Sequence, residues 1–549
     1  MAEAIEPDDA QEFITASVSE ACIPPATSES TDFGEALPPI HYREIAAVAL
    51  LVLLCDLLLF RSEGFAGPGL LFALTPILLC LGLSYLQFDA KSVTLIGLLV
   101  LTAARLVWCG SSLAVVLGLA LASLLTMSLA GIEPYVTQIF ADMISRMVAG
   151  VLRLEQYGRG LSRYCPVLWR ANWIAVALPV TAVAVFAGIF ILANPDLVIR
   201  TRQYLEEIVH FLSMFIERFS LLEIMFCCAV GWIATGTFSP GLYQLTKYWH
   251  RKGESIRWPT PIERHHAPLY SAYRNTLAAV IGLFLIYLVF EFSTLWFKVF
   301  PVGFHYSSYA HEGAAWLTVA LAMATLVLSL FFSRKILADP RMGTLRTLAW
   351  IWSIENLLLA IAVFNRLFIY VGFNGMTQMR VVGVLGVAAV VTGFILVLVK
   401  IASYRSFGWL IQRQLWTVSF AIYLYAVLPV DAIVNWYNVS SIMRGSVAPC
   451  VQISEHPTSD EGLLWLKPLL ASPDETIRAG VCAMLSQRLE QLEATSPRTQ
   501  TTDWTTIQLA RQRLGRQLSD IRSELNMSQS EDERDKAIER FHQYAYKWY

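Results

Sequence analysis

The feature that most constrains this chain is a series of long apolar blocks separated by short polar connections. Bilayer hydrocarbon cannot hydrogen-bond an exposed backbone, so an apolar run of about 18 or more residues with few charges is stable there only as a helix. Such runs extend over Glu44 to Phe60, Gly67 to Leu86, Ser92 to Cys109, Ser111 to Gly131, Ala171 to Ala193 and Leu221 to Tyr243. Five more cover Thr276 to Phe297, Ala314 to Phe332, Leu345 to Tyr370, Arg380 to Ile401 and Gly408 to Pro429. They predict an all-α polytopic transmembrane helical bundle of about eleven spans, followed by a small C-terminal soluble helical domain. Only 15% of the residues are charged and the mean hydropathy is +0.52, whereas soluble domains are charged at about 25% of positions.

Several functional classes lose their basis here. The net charge of -2 offers no basic field for nucleic acid. The nine cysteines include no CxxC pair, and Cys55, Cys80, Cys109, Cys227 and Cys228 lie in apolar segments, which suits inert packed thiols rather than metal ligands. There is no GKS or GKT phosphate loop, GxGxxG fingerprint or HExxH motif. No cofactor and no metal are expected, and the lipid bilayer is the first partner. The run Glu263, Arg264, His265, His266, with His250 nearby, reads as headgroup-contacting residues of a basic loop.

Orientation follows from Lys and Arg in the short loops, which stay cytoplasmic. Arg146, Arg153, Arg159, Arg163 and Arg170 follow the fourth run, and Lys247, Arg251, Lys252, Arg257 and Arg264 follow the sixth. Arg334, Lys335 and Arg341 follow the eighth, and Lys400 and Arg405 the tenth. Alternation then places the N-terminus in the cytoplasm and everything after Pro429 outside, with the protein multi-pass in the inner cell membrane. Four regions result: residues 1–43 as a disordered acidic tail without Lys or Arg before His41, 44–266 as an N-terminal transmembrane region, 267–439 as a second transmembrane domain, and 440–549 as a helical extracytoplasmic domain. Within the first transmembrane region two stripes have helical period. Val136, Phe140, Ile144, Met147, Val151 and Leu154 suit a helix lying on the inner leaflet or an extension of the fourth span; Leu205, Ile208, Leu212, Phe215 and Phe219 suit an interfacial helix on the outer side. In the C-terminal domain Gly462 to Leu492, Trp504 to Leu525 and Asp532 to Tyr546 read as amphipathic helices, with Thr495 to Thr502 as linker. Cys450 and Cys482 could be bonded or free.

Ionisable residues inside apolar runs cost a few kcal/mol and face a partner or a cavity. Asp56, Arg105, Glu291, Glu355 and Arg366 are of this kind. Glu355, Leu359, Ala362, Arg366 and Tyr370 share one helix face, but eleven residues separate Glu355 from Arg366, about 16 Å at 1.5 Å per residue, too far to pair. Depth matches Arg366 with Glu291 of the seventh run. The neighbouring outer ends add His311, Glu312, Arg380, Asp431, Asn435 and Asn438, so that with Tyr370 an outer polar cluster is expected. Glu355, nearer the inside, is left to Arg274, Arg346 or Arg413. Such a cluster is either a structural network of ion pairs or a site for a ligand.

From about Thr276 to Val439 the chain resembles a family of bacterial multi-pass membrane proteins known only as a domain of unknown function. The family opens one helix with a Tyr-Ala-Arg-x-Gly-type motif, represented here by Tyr309, His311, Glu312, Gly313 and Leu317 in YAHEGAAWL. A Gln-Asn, Arg-Leu-x-x-Tyr and Gly-x-Thr-x-x-Arg series then corresponds to Asn356, Arg366, Leu367, Tyr370, Gly375, Thr377 and Arg380, and a closing Tyr-Asn to Tyr437 and Asn438. His311 stands where the family has Arg, and Ala314 and Ala315 replace its aromatic pair. The resemblance implies a bacterial inner-membrane location and no particular chemistry. Three functions stay open: a non-enzymatic protein that positions its C-terminal domain for envelope assembly, sensing or partner binding; a transporter or channel using Glu291, Arg366 and Glu355; and an enzyme on lipid-linked envelope substrates with Glu312 or His311 as acid or base. The first is preferred because neither an assembled catalytic constellation nor a transporter-like repeat is visible. Oligomeric state is not legible.

Overall fold

The computed structural model describes residues 40–83, 86–164, 181, 183, 206, 220–239, 269–293, 306–331, 341–403, 405, 407–456, 458–495, 503–525 and 530–547. The acidic tail up to Pro39, the run Ala171 to Ala193, the stripe from Leu205 to Phe219, the histidine-bearing loop and most of the linker after Thr495 lie outside them. All regular structure among the described residues is helical. In chain order the helices are α1 (Tyr42–Cys55), α2 (Ala66–Gly82), α3 (Ala90–Cys109), α4 (Ser112–Leu129), α5 (Ile139–Tyr164) and α6 (Leu221–Phe238). There follow α7 (Tyr270–Glu291), α8 (Tyr306–Phe331), α9 (Met342–Asn374), α10 (Gln378–Ala402), α11 (Phe407–Val427) and α12 (Val430–Met443). The C-terminal domain adds α13 (Cys450–Glu455), α14 (Asp460–Leu463), α15 (Glu475–Thr495), α16 (Leu509–Asp520) and α17 (Glu531–Tyr546).

Six of the described helices, α3, α4, α6, α7, α9 and α10, are long and apolar enough to cross a membrane, and α11 joined to α12 makes a seventh if that bent pair counts as one span. Among the described residues, two of the expected runs form helices that differ from a straight span for local reasons. α1 passes into a wider turn over Asp56–Phe60, and α2 has 17 residues with Pro76 inside it. Between α11 and α12 the chain bends by 66° at Pro429, which lacks the N–H that would continue the helix.

The first group packs α1 to α6 around Phe72, Leu99, Leu106, Leu125 and Phe238. α5 is a separate helix rather than a continuation of α4, because the chain breaks between Ala130 and Gln138. Its Phe140, Ile144, Val148 and Val151 are exposed while Asp142, Arg146 and Arg153 are buried. That inverts the pattern of a soluble helix and suits an apolar face turned to lipid. The second group is a four-helix arrangement of α7 to α10, in which α9 touches α7, α8 and α10. α11 bridges the groups, its Tyr423 hydroxyl donating to Leu98 O at 2.8 Å.

The C-terminal domain has its own core, with Leu466, Leu469, Val481, Leu485, Leu514, Leu518, Leu525 and Phe541 all fully or almost fully buried. Cys450 and Cys482 are both free and buried, and burial pushes the Cys450 thiol up to about 12. At Asp474 burial raises the carboxyl pKa, but hydrogen bonds from Tyr544 and from the Ile477 and Thr476 amides outweigh it and hold the group below its ordinary value.

The domain sits on one end of the bundle. The α1–α2 connection meets it where Glu63 N donates to Thr505 Oγ1 at 3.2 Å. At Gly64 a Cβ would fall 2.2 Å from Thr505 O, so only glycine permits this approach. The α9–α10 connection meets it through Gln452 Nε2, which donates to Asn374 O at 3.0 Å. At the opposite end, Gln87 N donates to Leu129 O at 2.9 Å and Lys91 pairs with Glu133, tying the α2–α3 connection to the segment after α4. α1 to α4 therefore alternate in direction.

Candidate functional site

The candidate polar residues divide into three sets along α9 and α12. In the first, Arg366 and Glu291 form a two-point ion pair between α9 and α7, with Arg366 Nε donating to Glu291 Oε1 at 2.6 Å and Nη2 to Oε2. The Tyr287 hydroxyl donates to Glu291 Oε2 at 2.9 Å. Both charged residues are 2% exposed, so depth along the two apolar runs suffices to match them. The α9 face bearing Glu355, Leu359, Ala362, Arg366 and Tyr370 is buried throughout.

The second set closes the C-terminal end of α9. Gly375 ends the helix at φ 82°, a left-handed conformation that glycine alone adopts without strain. Arg380 reaches back to donate to Gly375 O and lies over the Tyr370 ring, 4.0 Å from its centre. Asn438 of α12 pairs with the next residue in both senses, accepting from Met376 N at 2.7 Å and donating to Met376 O at 2.9 Å. The third set faces the C-terminal domain. Asp431 accepts from Ser459 N at 3.0 Å and from Gln378, and Asn435 Nδ2 donates to Thr458 Oγ1 at 3.2 Å. His311 and Glu312 lie within α8, and their side chains are outside the described residues. In place of one cluster, the hydrogen bonds make an intramembrane lock, a helix cap and a domain clamp.

Glu355 departs from expectation. None of Arg274, Arg346 or Arg413 reaches it: Arg274 is exposed and donates to Asn275, while the exposed Arg413 lies 5.9 Å from the Trp409 ring. Arg346 is nine residues back along the same helix, about 14 Å away. Glu355 Oε2 is buried without a hydrogen bond.

The most consequential contact escaped the sequence. Arg105, near the end of α3, forms a two-point pair with Glu461 of α14, Nη2 donating to Oε1 at 2.7 Å, while Trp108 Nε1 donates to Oε2 at 3.0 Å. Glu461 is 2% exposed. Arg105 is recognisable as a misplaced charge, but its partner sits 356 residues away in a segment of soluble composition. Two further ties hold the first group. Arg153 pairs with Glu44, Nε to Oε1 at 2.7 Å, and Tyr157 donates to the same oxygen at 2.7 Å. Arg61 bridges Glu223, at 2.8 Å, and Asp56, at 3.0 Å.

A cavity of about 720 Å³ lies between the C-terminal domain and the bundle end, bordered by Phe65, Gly110, His456, Asp460, Arg488 and Gln491. An apolar cleft of about 470 Å³ runs between α8, α10 and α11 past Thr325, Gln414 and Tyr425. No group of three or more metal-ligating side chains occurs among the described residues.

The family described as a domain of unknown function (DUF4153) matches residues 48–453, which is most of the chain. The chain belongs to the DUF4153 family. The DUF4153 match begins in α1 and ends in α13, so it takes in both helical groups, well beyond the stretch from Thr276 to Val439 that carries the recognised motifs. The two-point lock, the glycine-capped connection and α12 all lie within it. No curated protein matches the chain, and no solved structure matches it.

Proposed function

We propose that this membrane protein is a non-enzymatic positioning device, in which the helical bundle holds the C-terminal helical domain in a set orientation at the extracytoplasmic face of a bacterial inner membrane for an envelope partner or signal. The observation that carries this reading is the Arg105–Glu461 pair. A buried two-point ion pair with an indole N–H on the same carboxylate fixes orientation as well as proximity. A flexible tether would need neither it nor the glycine contact at Gly64. The distribution of Lys and Arg supports the outward placement.

The test is photo-crosslinking in cells from the exposed Trp465 and Trp504 positions of the domain. The expected result is a crosslink to one envelope protein that disappears in Glu461→Arg, which undocks the domain while leaving the bundle intact. An unchanged crosslink in the undocked variant would show that orientation is irrelevant. Reporter fusions at the two chain ends should fall in opposite compartments. A second reading, transport through the α7 to α10 group, draws its support from Glu355. Proton or solute flux in proteoliposomes that Glu291→Gln abolishes would favour it.

A further inference from the structure

The inner half of α9 carries polar atoms that the lock, the cap and the clamp do not use. Trp352, Glu355 and Asn356 occupy one turn and are 1%, 7% and 0% exposed. They sit between two apolar layers of the α7 to α10 group. One layer contains Leu277, Leu328, Leu345, Phe394 and Val397; the other contains Leu288, Leu317, Leu359, Val363 and Val387. The indole packs edge-on against Phe284, 5.8 Å between ring centres. Asn356 Nδ2 donates to Trp352 O at 2.7 Å, which leaves its Oδ1 as the free end. Asn356 Oδ1, Glu355 Oε2 and Trp352 Nε1 are all buried without a hydrogen-bond partner.

Each such atom costs about 1–3 kcal/mol, and a carboxylate costs more. Three on one turn of a bilayer-embedded helix call for a ligand. Among the described residues, the charged groups on the packed elements do not supply one. On α7, Arg274 is exposed and Glu291 is committed to Arg366; on α9, Arg346 is a turn or more away; on α10, Arg380 lies over Tyr370, and neither it nor Lys400 forms an ion pair with Glu355. Two acceptor oxygens beside one N–H donor complement a small cation that brings its own oxygen. The carboxylate and amide take the charge and the indole takes the accompanying oxygen.

We propose that Trp352, Glu355 and Asn356 form an intramembrane site for a monovalent cation, either a proton or a hydrated sodium ion, at the centre of the α7 to α10 group. The site does not depend on whether the C-terminal domain has a partner.

A lipid-soluble carbodiimide tests this on the full-length protein in lipid or detergent. The neutral carboxylic acid adds its O–H across one C=N bond, and the acyl group then migrates to nitrogen, leaving a stable N-acylurea that peptide mass analysis can locate. The expected result is modification of Glu355. If sodium is the ligand, modification slows about tenfold once sodium exceeds its dissociation constant tenfold, relative to choline. If the proton is the ligand, sodium has no effect and modification falls about tenfold per pH unit above the carboxyl's pKa. Asn356→Leu should shift whichever dependence is seen. Absence of modification at Glu355, modification indifferent to both sodium and pH, or an Asn356→Leu protein with unaltered dependence would each overturn the proposal.

Discussion

The two halves of α9 bury charge in opposite ways. Toward the C-terminal end Arg366 donates from one edge of its guanidinium to both carboxylate oxygens of Glu291, with Tyr287 on the same carboxylate. Eleven residues earlier Glu355 is also buried, and its Oε2 has no hydrogen-bond partner among the described residues. Both residues would be flagged as functional by composition alone, since each is an ionisable group inside an apolar run. The surrounding helices separate the two cases. A paired charge is answered by the fold and reads as a lock, while an unpaired one is answered only by something that binds.

The largest expected effect tests the locked half. Glu291→Ala or Arg366→Ala strands a buried charge and should cost about 3–5 kcal/mol in detergent unfolding experiments. Reversing both charges together should recover part of that loss, and a double variant that recovers nothing would remove the pairing from the account. Next comes the second buried pair. Arg105→Ala should cost about 2–3 kcal/mol and should raise hydrogen exchange selectively over residues 458–466, which separates a domain clamp from a general loss of stability. Gly64→Ala should follow at about 1–3 kcal/mol, because its methyl would meet the Thr505 carbonyl, with the same local exchange signature. Asn438→Ala removes two hydrogen bonds to Met376 and should cost about 1–2 kcal/mol, loosening the connection after α9 without affecting the lock. The smallest effect is expected at the open half. Glu355→Gln breaks no pair and should change stability by less than about 1 kcal/mol. If it costs as much as Glu291→Gln, the two halves of α9 are alike and the comparison fails.

Part of this arrangement is legible in the sequence, and the boundary has a physical cause. Matching Arg366 to Glu291 required only that two antiparallel or parallel spans have a depth scale, which 1.5 Å per residue supplies. The same scale failed for Glu355, because depth names the layer a residue occupies but not which of the surrounding side chains turn inward. It also failed for Arg380, Asp431, Asn435 and Asn438 as one cluster. Side chains at one membrane end share a level, yet Arg380 reaches back to the glycine cap of the preceding helix while Asp431 and Asn435 turn to the C-terminal domain. Nothing at Glu461 marked it as the partner of Arg105.

By itself the sequence determined the class of the molecule, because a backbone in hydrocarbon must satisfy its own hydrogen bonds and long apolar runs therefore become helices wherever the rest of the chain goes. Which helix neighbours which, and so which buried charges are answered and which are left open, belonged to the tertiary structure. Side-chain pairing acts over a few ångströms, and only the packed helices bring residues as distant as Arg105 and Glu461 within that range.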